Sequence, residues 1–419
     1  MSWFDSWDAI EDVVLSDEPV ERALAAASPA VRTAIEGVLN GQELAVEDGE
    51  RLFALRAGPD LLALVRAADA VRAADVGDDV TYVVNRNVNF TNVCFVNCQF
   101  CAFKRQRWES DAYTHGTELI LGKVAEAIER GATEICMQGG INPDMTPFHY
   151  RDLLRDIKTR FPTIHVHAFS PMEIMYGTRR AAMTYSDYIA MLRDCGLGSI
   201  PGTAAEILDD EVREFLSHKK VDVRTWVEII TTAHRLGVPT TSTVMYSHVE
   251  TSGHLARHLD LLRTIQRETG GFTEFVPLGF IWENTDLYRS GHVEPQPKGL
   301  RDLGVYATSR LMLRGLIDNL QTSWVKLGHR LSQLTLRAGC NDFGGTLMEE
   351  SISREAGADA GEYTSADEIE TLVRAIGRRP VQRTTLYKPL HDEPTAPADH
   401  GPDGRRRGSP LPAGSHPTH

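Results

Sequence analysis

Through residues 1–75, in EPVERALAAASPAVRTAIEGVLNG and LAVEDGERLFALRAGPDLLALVRAADAVRAADVG, apolar positions recur at steps of three and four, and Gly41, Gly58 and Gly77 punctuate them. That period predicts amphipathic helices with glycine ends. Short helices need a tertiary partner, so these are expected to pack on the rest of the chain. From residue 80 the pattern changes, and short β-branched or apolar runs appear at 81–89, 133–138, 163–169, 197–201, 240–246, 273–278 and 319–326. Longer helix-like stretches separate them at 117–130, 147–160, 186–195, 206–217, 224–236, 251–268 and 300–317. This alternation predicts an α/β fold with a parallel sheet. Seven or eight such units favour a TIM-like (β/α) barrel, closed or nearly closed, over a doubly wound sheet. Polar residues gather just after the strands, at Gln138, Gly139 and Gly140, at His165 and His167, from Thr203 to Glu206, at His248, and at Asn341 and Asp342. That is the face on which such barrels build their sites. After about residue 385 the periodicity ends in HDEPTAPADHGPDGRRRGSPLPAGSHPTH, whose composition predicts a disordered tail with a basic RRR able to touch an acidic partner. The expected division is a helical N-terminal extension at 1–79, a barrel with C-terminal elements at 80–385, and the tail at 386–419.

Composition narrows the functional classes. The 419 residues carry 44 Lys and Arg against 58 Asp and Glu, a formal charge of −14. Such a balance argues against a general grip on nucleic acid or an anionic membrane, though a local anion pocket is compatible with it. The start, MSWFDSWDAIEDVVLSDEP, has neither a basic leader nor an apolar core, and no run approaches the ~18 apolar residues of a membrane span. A cytoplasmic location is the resulting expectation. Six cysteines in this length do not describe a secreted disulfide scaffold.

Half of those cysteines, Cys94, Cys98 and Cys101, fall within eight positions. Buried structural thiols would sit poorly beside Asn92, Asn97 and Gln99. A zinc site would need a fourth ligand and usually presents two separated pairs. An iron–sulfur reading suits the spacing best, because three thiolates can hold three irons of a 4Fe-4S cube and leave the fourth open to a ligand. A carrier or sensor of electrons would need the cluster but no elaborate cavity. Cys136 and Cys195 read as small buried hydrophobes, and Cys340 leans the same way.

CxxxCxxC with Phe100 before its last cysteine resembles the signature of the radical S-adenosylmethionine enzymes. The resemblance implies a 4Fe-4S cluster on Cys94, Cys98 and Cys101, with S-adenosylmethionine chelating the open iron. It also implies a cofactor site in which Gly139 and Gly140 approach the methionyl group, Glu206 meets ribose or amine, Phe100 lies near adenine, and Gln138 contributes polar contacts. Ordinary alternatives stand beside these: a tight turn for the glycines and a helix N-terminal charge for Glu206.

The stretches NRNVNFTNVCFVNCQFCAF, ATEICMQGGINP, HVHAFSPMEI, IPGTAAEILDDEVR, TGGFTEFVPLGF, QTSWVKLG and NDFGGTLMEESISR resemble the deazaflavin synthase family, in particular its tyrosine-using transferases, over residues 80 to 385. Menaquinone-pathway relatives, aminofutalosine synthase and dehypoxanthine futalosine cyclase, share much of the pattern, and the cyclase is the alternative. The resemblance implies transfer of a 4-hydroxybenzyl group from L-tyrosine to 5-amino-6-(D-ribitylamino)uracil, an external reductant, and a separate ring-closing radical enzyme as functional partner. Candidate substrate residues are His167, Lys326, Asn341 and Asp342, with His165, Thr243, Tyr246 and His248 behind them. Of the two histidines in HVH, one, His167, is expected to face the interior and His165 the helices. Thr243 and Tyr246 should lie on opposite strand faces. Lys326 could meet a carboxylate, possible roles for Trp324 being the barrel mouth or the core. Asn341 and Asp342 could equally serve a turn.

Overall fold

The computed structural model describes residues 4–390. Five helices, Trp7–Val14, Val20–Ala26, Pro29–Leu39, Val46–Phe53 and Gly58–Val76, form the N-terminal part. Their apolar faces are buried, with Ile10, Ile35, Leu52, Leu61 and Leu64 essentially inaccessible. Arg314 Nη1 donates to Val38 O at 2.6 Å, and Arg263 Nη1 to Leu44 O at 2.8 Å, which fixes these helices to the following domain.

Eight strands follow: β1 (Asp79–Val83), β2 (Asn85–Val88), β3 (Glu134–Met137), β4 (His165–Ala168), β5 (Thr240–Tyr246), β6 (Phe272–Gly279), β7 (Asp342–Gly345) and β8 (Arg379–Gln382). All named pairings are parallel, in the orders β7-β1-β8, β2-β3-β4 and β5-β6. Single bridges, His167 to Ser199, Ile200 to Thr240, Phe275 to Leu320 and Gln321 to Asp342, link these sheets. The expected barrel is therefore present as partial parallel sheets, and the closed ladder is not formed. The reason is local: 197–201 and 319–326, read as strands, contribute only one or two bridging residues each before turning away.

Strand side chains alternate between two environments. Arg86 points to the helix Thr117–Glu129, donating to Glu126 at 2.7 Å, whereas its neighbours Asn85, Asn87 and Asn89 bond to Glu134, Glu350 and Gln138 O. Register carries this across the sheet, with Asn87 beside Cys136 and Cys136 beside His167. Ile135, Met137, Val166 and Ala168, on the other face, are buried among helices. Apart from Arg86, the helix face of these strands is apolar, and the interior face is polar.

One end of the interior is filled by the chain after β8. Arg383, 2% exposed, donates to Asp342 and, at 3.4 Å, to Glu274, and its guanidinium lies 3.8 Å over the Tyr387 ring. Tyr387 in turn donates to Glu274. Residues 386–390, expected to begin a disordered tail, thus belong to the body, because their tyrosine satisfies a buried carboxylate. The remainder of that tail, with its RRR, lies outside the described residues.

Removing one partner of a buried ion pair leaves an uncompensated charge and typically costs ~3–5 kcal/mol. Arg383→Met is accordingly expected to lower the urea unfolding midpoint substantially; an unchanged midpoint would show that Asp342 and Glu274 do not depend on it.

Candidate active site

The cysteine loop leaves β2 and is held on several sides. Cys94 N donates to Arg105 O at 3.0 Å, Phe95 N to Ile141 O at 3.2 Å and Gln99 N to Leu216 O at 3.0 Å. Lys104 Nζ donates to Cys98 O at 2.8 Å. Gly140 explains how the loop after β3 reaches it: a Cβ there would stand 2.3 Å from Val93 O and 3.0 Å from Cys94 Cβ. Close backbone approach, not a tight turn alone, requires glycine here.

All three cysteines line one cavity, together with Phe100, Gln138, Gly139, Gly140, Glu206, Thr243 and Lys326. Its volume is about 260 Å³, near the lower end of the ~300–1,000 Å³ common for ligand sites, and it opens to solvent at its mouth. The sequence-derived cofactor residues and Lys326 thus converge. Burial pushes the Cys98 thiol up to about 11 and raises Cys101, so both are protonated near neutrality and binding iron as thiolates would release their protons. Among the described residues no three His, Cys, Asp or Glu side chains meet closely enough to hold a single metal ion. Zinc requires that convergence, whereas each thiolate of a 4Fe-4S cube takes a different iron. The donor set and the cysteine-lined space therefore fit the cluster.

Glu206 is not a helix-terminal charge. The helix Asp210–Ser217 begins four residues later, capped by Asp209, while Glu206 itself adopts φ 40° and Ala204 φ 59°. Buried Arg213 holds this strained segment, donating to Ala204 O at 2.9 Å and to Ala205 O. Lys220 Nζ donates to Glu206 at 2.6 Å and stands 4.8 Å from the Phe100 ring centroid. Burial works against its charge, but the adjacent Glu206 carboxylate outweighs that and raises its pKa.

Glu173 is a second residue that the sequence reading missed. It caps the helix Pro171–Ala181, accepting from Ser170 N at 2.6 Å and Ser170 Oγ at 2.7 Å, and accepts from Gly139 N at 3.1 Å. Burial raises it to about 7 against those bonds. The SPME stretch carried a capping signal, with Ser three positions before Glu; Lys220 carried none.

Other expected residues lie elsewhere. Asn341 and Asp342 start β7 rather than follow it; Asn341 accepts from Arg310 at 2.7 Å and Leu320 N at 2.9 Å, and Asp342 is committed to Arg383. They are internal structural groups, outside the cavity lining. His167 is also outside that lining, and His165 does not turn to the helices. Residues two apart on a strand share a face, and both rings bond Ser199 Oγ at 2.7 Å. Burial lowers His167 to about 4, keeping it neutral. Thr243 lines the cavity while Tyr246 bonds Asp302, on opposite faces as expected. His248 bonds Met245 O at 2.9 Å, and Trp324 is buried core, donating to Gly345 O at 2.8 Å.

Residues 88–262 match the Radical SAM superfamily, and residues 269–395 match the CofH/MqnC C-terminal region. Fold comparison agrees: methylornithine synthase (PylB) superposes with TM-score 0.64 at 19% identity, covering 83% of this chain and 97% of that one. The hydrogenase maturase HydG gives TM-score 0.68 at 14% identity, covering 92% and 81%. This is a radical SAM α/β enzyme, a class that implies a 4Fe-4S and S-adenosylmethionine site. The 5-amino-6-(D-ribitylamino)uracil--L-tyrosine 4-hydroxyphenyl transferase of Methanothermobacter thermautotrophicus is 52% identical over 80% of this chain and 91% of its own. The enzyme of that name from Methanopyrus kandleri is 48% identical over 82% and 94%. FO synthase of Mycobacterium tuberculosis is 45% identical over 92% of this chain but only 45% of its own length. The chain belongs to the 4-hydroxyphenyl transferase family of deazaflavin synthesis.

Gly140→Ala is expected to push the β3 loop off the cysteine loop and to lower iron bound after anaerobic reconstitution, measured by metal analysis. Full iron content in that variant would contradict the close-approach role.

Proposed function

We propose that this enzyme transfers the 4-hydroxybenzyl group of L-tyrosine to carbon 5 of 5-amino-6-(D-ribitylamino)uracil. The products would be 5-amino-5-(4-hydroxybenzyl)-6-(D-ribitylimino)-5,6-dihydrouracil, 2-iminoacetate, methionine and 5'-deoxyadenosine. The observation that carries this reading is the 52% identity to a transferase of that name over 91% of its length. The cavity supports it by uniting a three-cysteine loop with Lys326. The CofH/MqnC match alone does not separate the transferase from the futalosine cyclase; the relatives' names favour the former.

Cys94, Cys98 and Cys101 would hold the 4Fe-4S cluster, and Phe100, Gln138, Gly139, Gly140, Glu206 and Lys220 would surround S-adenosylmethionine. When bound, these groups would supply the radical chemistry needed to abstract hydrogen from tyrosine. The chain's part is to position and enclose. Met172, Met245, Leu278, Phe280 and Ile281 wall the cavity with apolar surface, which keeps water from a reactive intermediate. Gln138 and Thr203, whose side chains meet at 3.4 Å, present polar atoms suited to the uracil or its ribityl chain. Lys326 is the cation suited to tyrosine's carboxylate. A reductant must supply the electron, and a separate ring-closing radical enzyme would take the adduct, the activity that the longer FO synthases would carry in the rest of their chains.

The test is an anaerobic assay of reconstituted protein with dithionite, S-adenosylmethionine and both substrates. Adduct and 5'-deoxyadenosine should appear together; deoxyadenosine without adduct would redirect the reading to another substrate. Lys326→Met should raise the tyrosine KM about tenfold or more, the scale of a charged hydrogen bond, leaving S-adenosylmethionine binding unchanged.

A further inference from the structure

The ammonium of Lys326 is half-buried and lines the cavity, yet its hydrogen bond is to a neutral group, Ser353 Oγ, at 2.6 Å. An ammonium has three donors, so two remain for a ligand. A carboxylate is close by but occupied. Glu350 accepts Ser353 N at 2.8 Å and Ser353 Oγ at 2.7 Å on one oxygen, and Asn87 Nδ2 on the other. The Ser353 hydroxyl therefore donates to Glu350 and accepts from Lys326. Negative charge reaches the ammonium through one hydroxyl, and a direct pair that would consume the remaining donors is not made.

The backbone around Glu350 is arranged at a cost. Leu347, Met348 and Glu349 have φ of 64°, 44° and 148°, three successive side-chain-bearing residues in the left-handed half of the map. Such conformations persist only where surroundings over-determine them, and they cluster at functional sites. Here Arg86 and Lys123 grip the Glu349 carboxylate, and the amides of Glu349 and Glu350 donate to Glu362 O at 3.2 and 3.1 Å. The helix Ser351–Ala356 that follows puts Ile352 and Ala356 into the cavity wall.

We propose that Glu350 and Ser353 are positioning residues that present Lys326 as the α-carboxylate subsite, so that the enzyme selects an intact amino acid over its decarboxylated amine. The inference rests on the transferase reading for the identity of that amino acid. Ser353 and Glu350 do not touch substrate; they set the place and charge of the group that does.

The experiment measures equilibrium binding of L-tyrosine and tyramine to cluster-reconstituted, S-adenosylmethionine-loaded protein, in wild type, Ser353→Ala, Glu350→Gln and Ser353→Thr. Wild type should prefer tyrosine. Ser353→Ala and Glu350→Gln should weaken tyrosine about tenfold with tyramine little changed, on the scale of one charged hydrogen bond, and Ser353→Thr, which keeps the hydroxyl, should retain the preference. An equal preference in wild type and both relay variants overturns the proposal, as does equal loss of both ligands despite full iron loading. Failure of wild type to bind tyrosine at all would instead overturn the transferase reading.

Discussion

The structure depends on one constraint: the inner faces of its parallel strands are polar, and every polar group taken from water there needs a partner or a ligand. An unmade hydrogen bond inside costs ~1–3 kcal/mol, more when the group is charged. The end near the starts of β1 and β7 answers internally, with Arg383 between Asp342 and Glu274 and Tyr387 closing over it. One layer on, Asn85 bonds Glu134, and His165 and His167 share Ser199. Toward the strand ends the polar groups are left to face space, and that space is the cysteine-lined cavity. The same pattern that burdens one end of the fold makes the other a binding site.

Rigidity around the cavity follows from how its loops are tied. The cysteine loop is bonded to the segment after β3 and to the end of the helix Asp210–Ser217. Glycine permits the first contact, and Arg213 imposes the irregular backbone that presents Glu206. These are loops in connectivity but not in freedom, which suits groups that must hold a reactive centre in place.

Much of this was legible in the chain. The alternation of short runs and helical stretches located most strands and helices, and CxxxCxxC with Gly139 and Gly140 marked residues that line the cavity. Misreadings have physical causes. Segment 319–326 has the composition of a strand, yet it bridges only briefly before the short helix Trp324–Leu327. Asn341 and Asp342 look like strand-end chemistry because nothing local reveals that β7 starts with them; their partners Arg310 and Arg383 are 31 and 41 residues away in sequence. Lys220 and Glu350 were invisible for the same reason, since a charged residue in a polar stretch shows its burial only when distant elements close around it.

The two matched regions divide the labour of the cavity. The cysteines, the glycine pair, Glu173, Glu206 and Lys220 all fall within 88–262, whereas Leu278, Phe280, Lys326, Glu350 and Ser353 fall within 269–395. Generating a radical is common to the superfamily, so the first region need not encode what the radical attacks. Beside Gln138 and Thr203 of the first region, the second adds an apolar wall and one half-buried cation held through a serine. An apolar wall alone discriminates weakly between ligands that differ by a polar group, while a buried donor left unpaired by the wrong ligand discriminates strongly. On the proposed reading, the charge that the C-terminal region places in the cavity contributes to specificity alongside the cavity's shape.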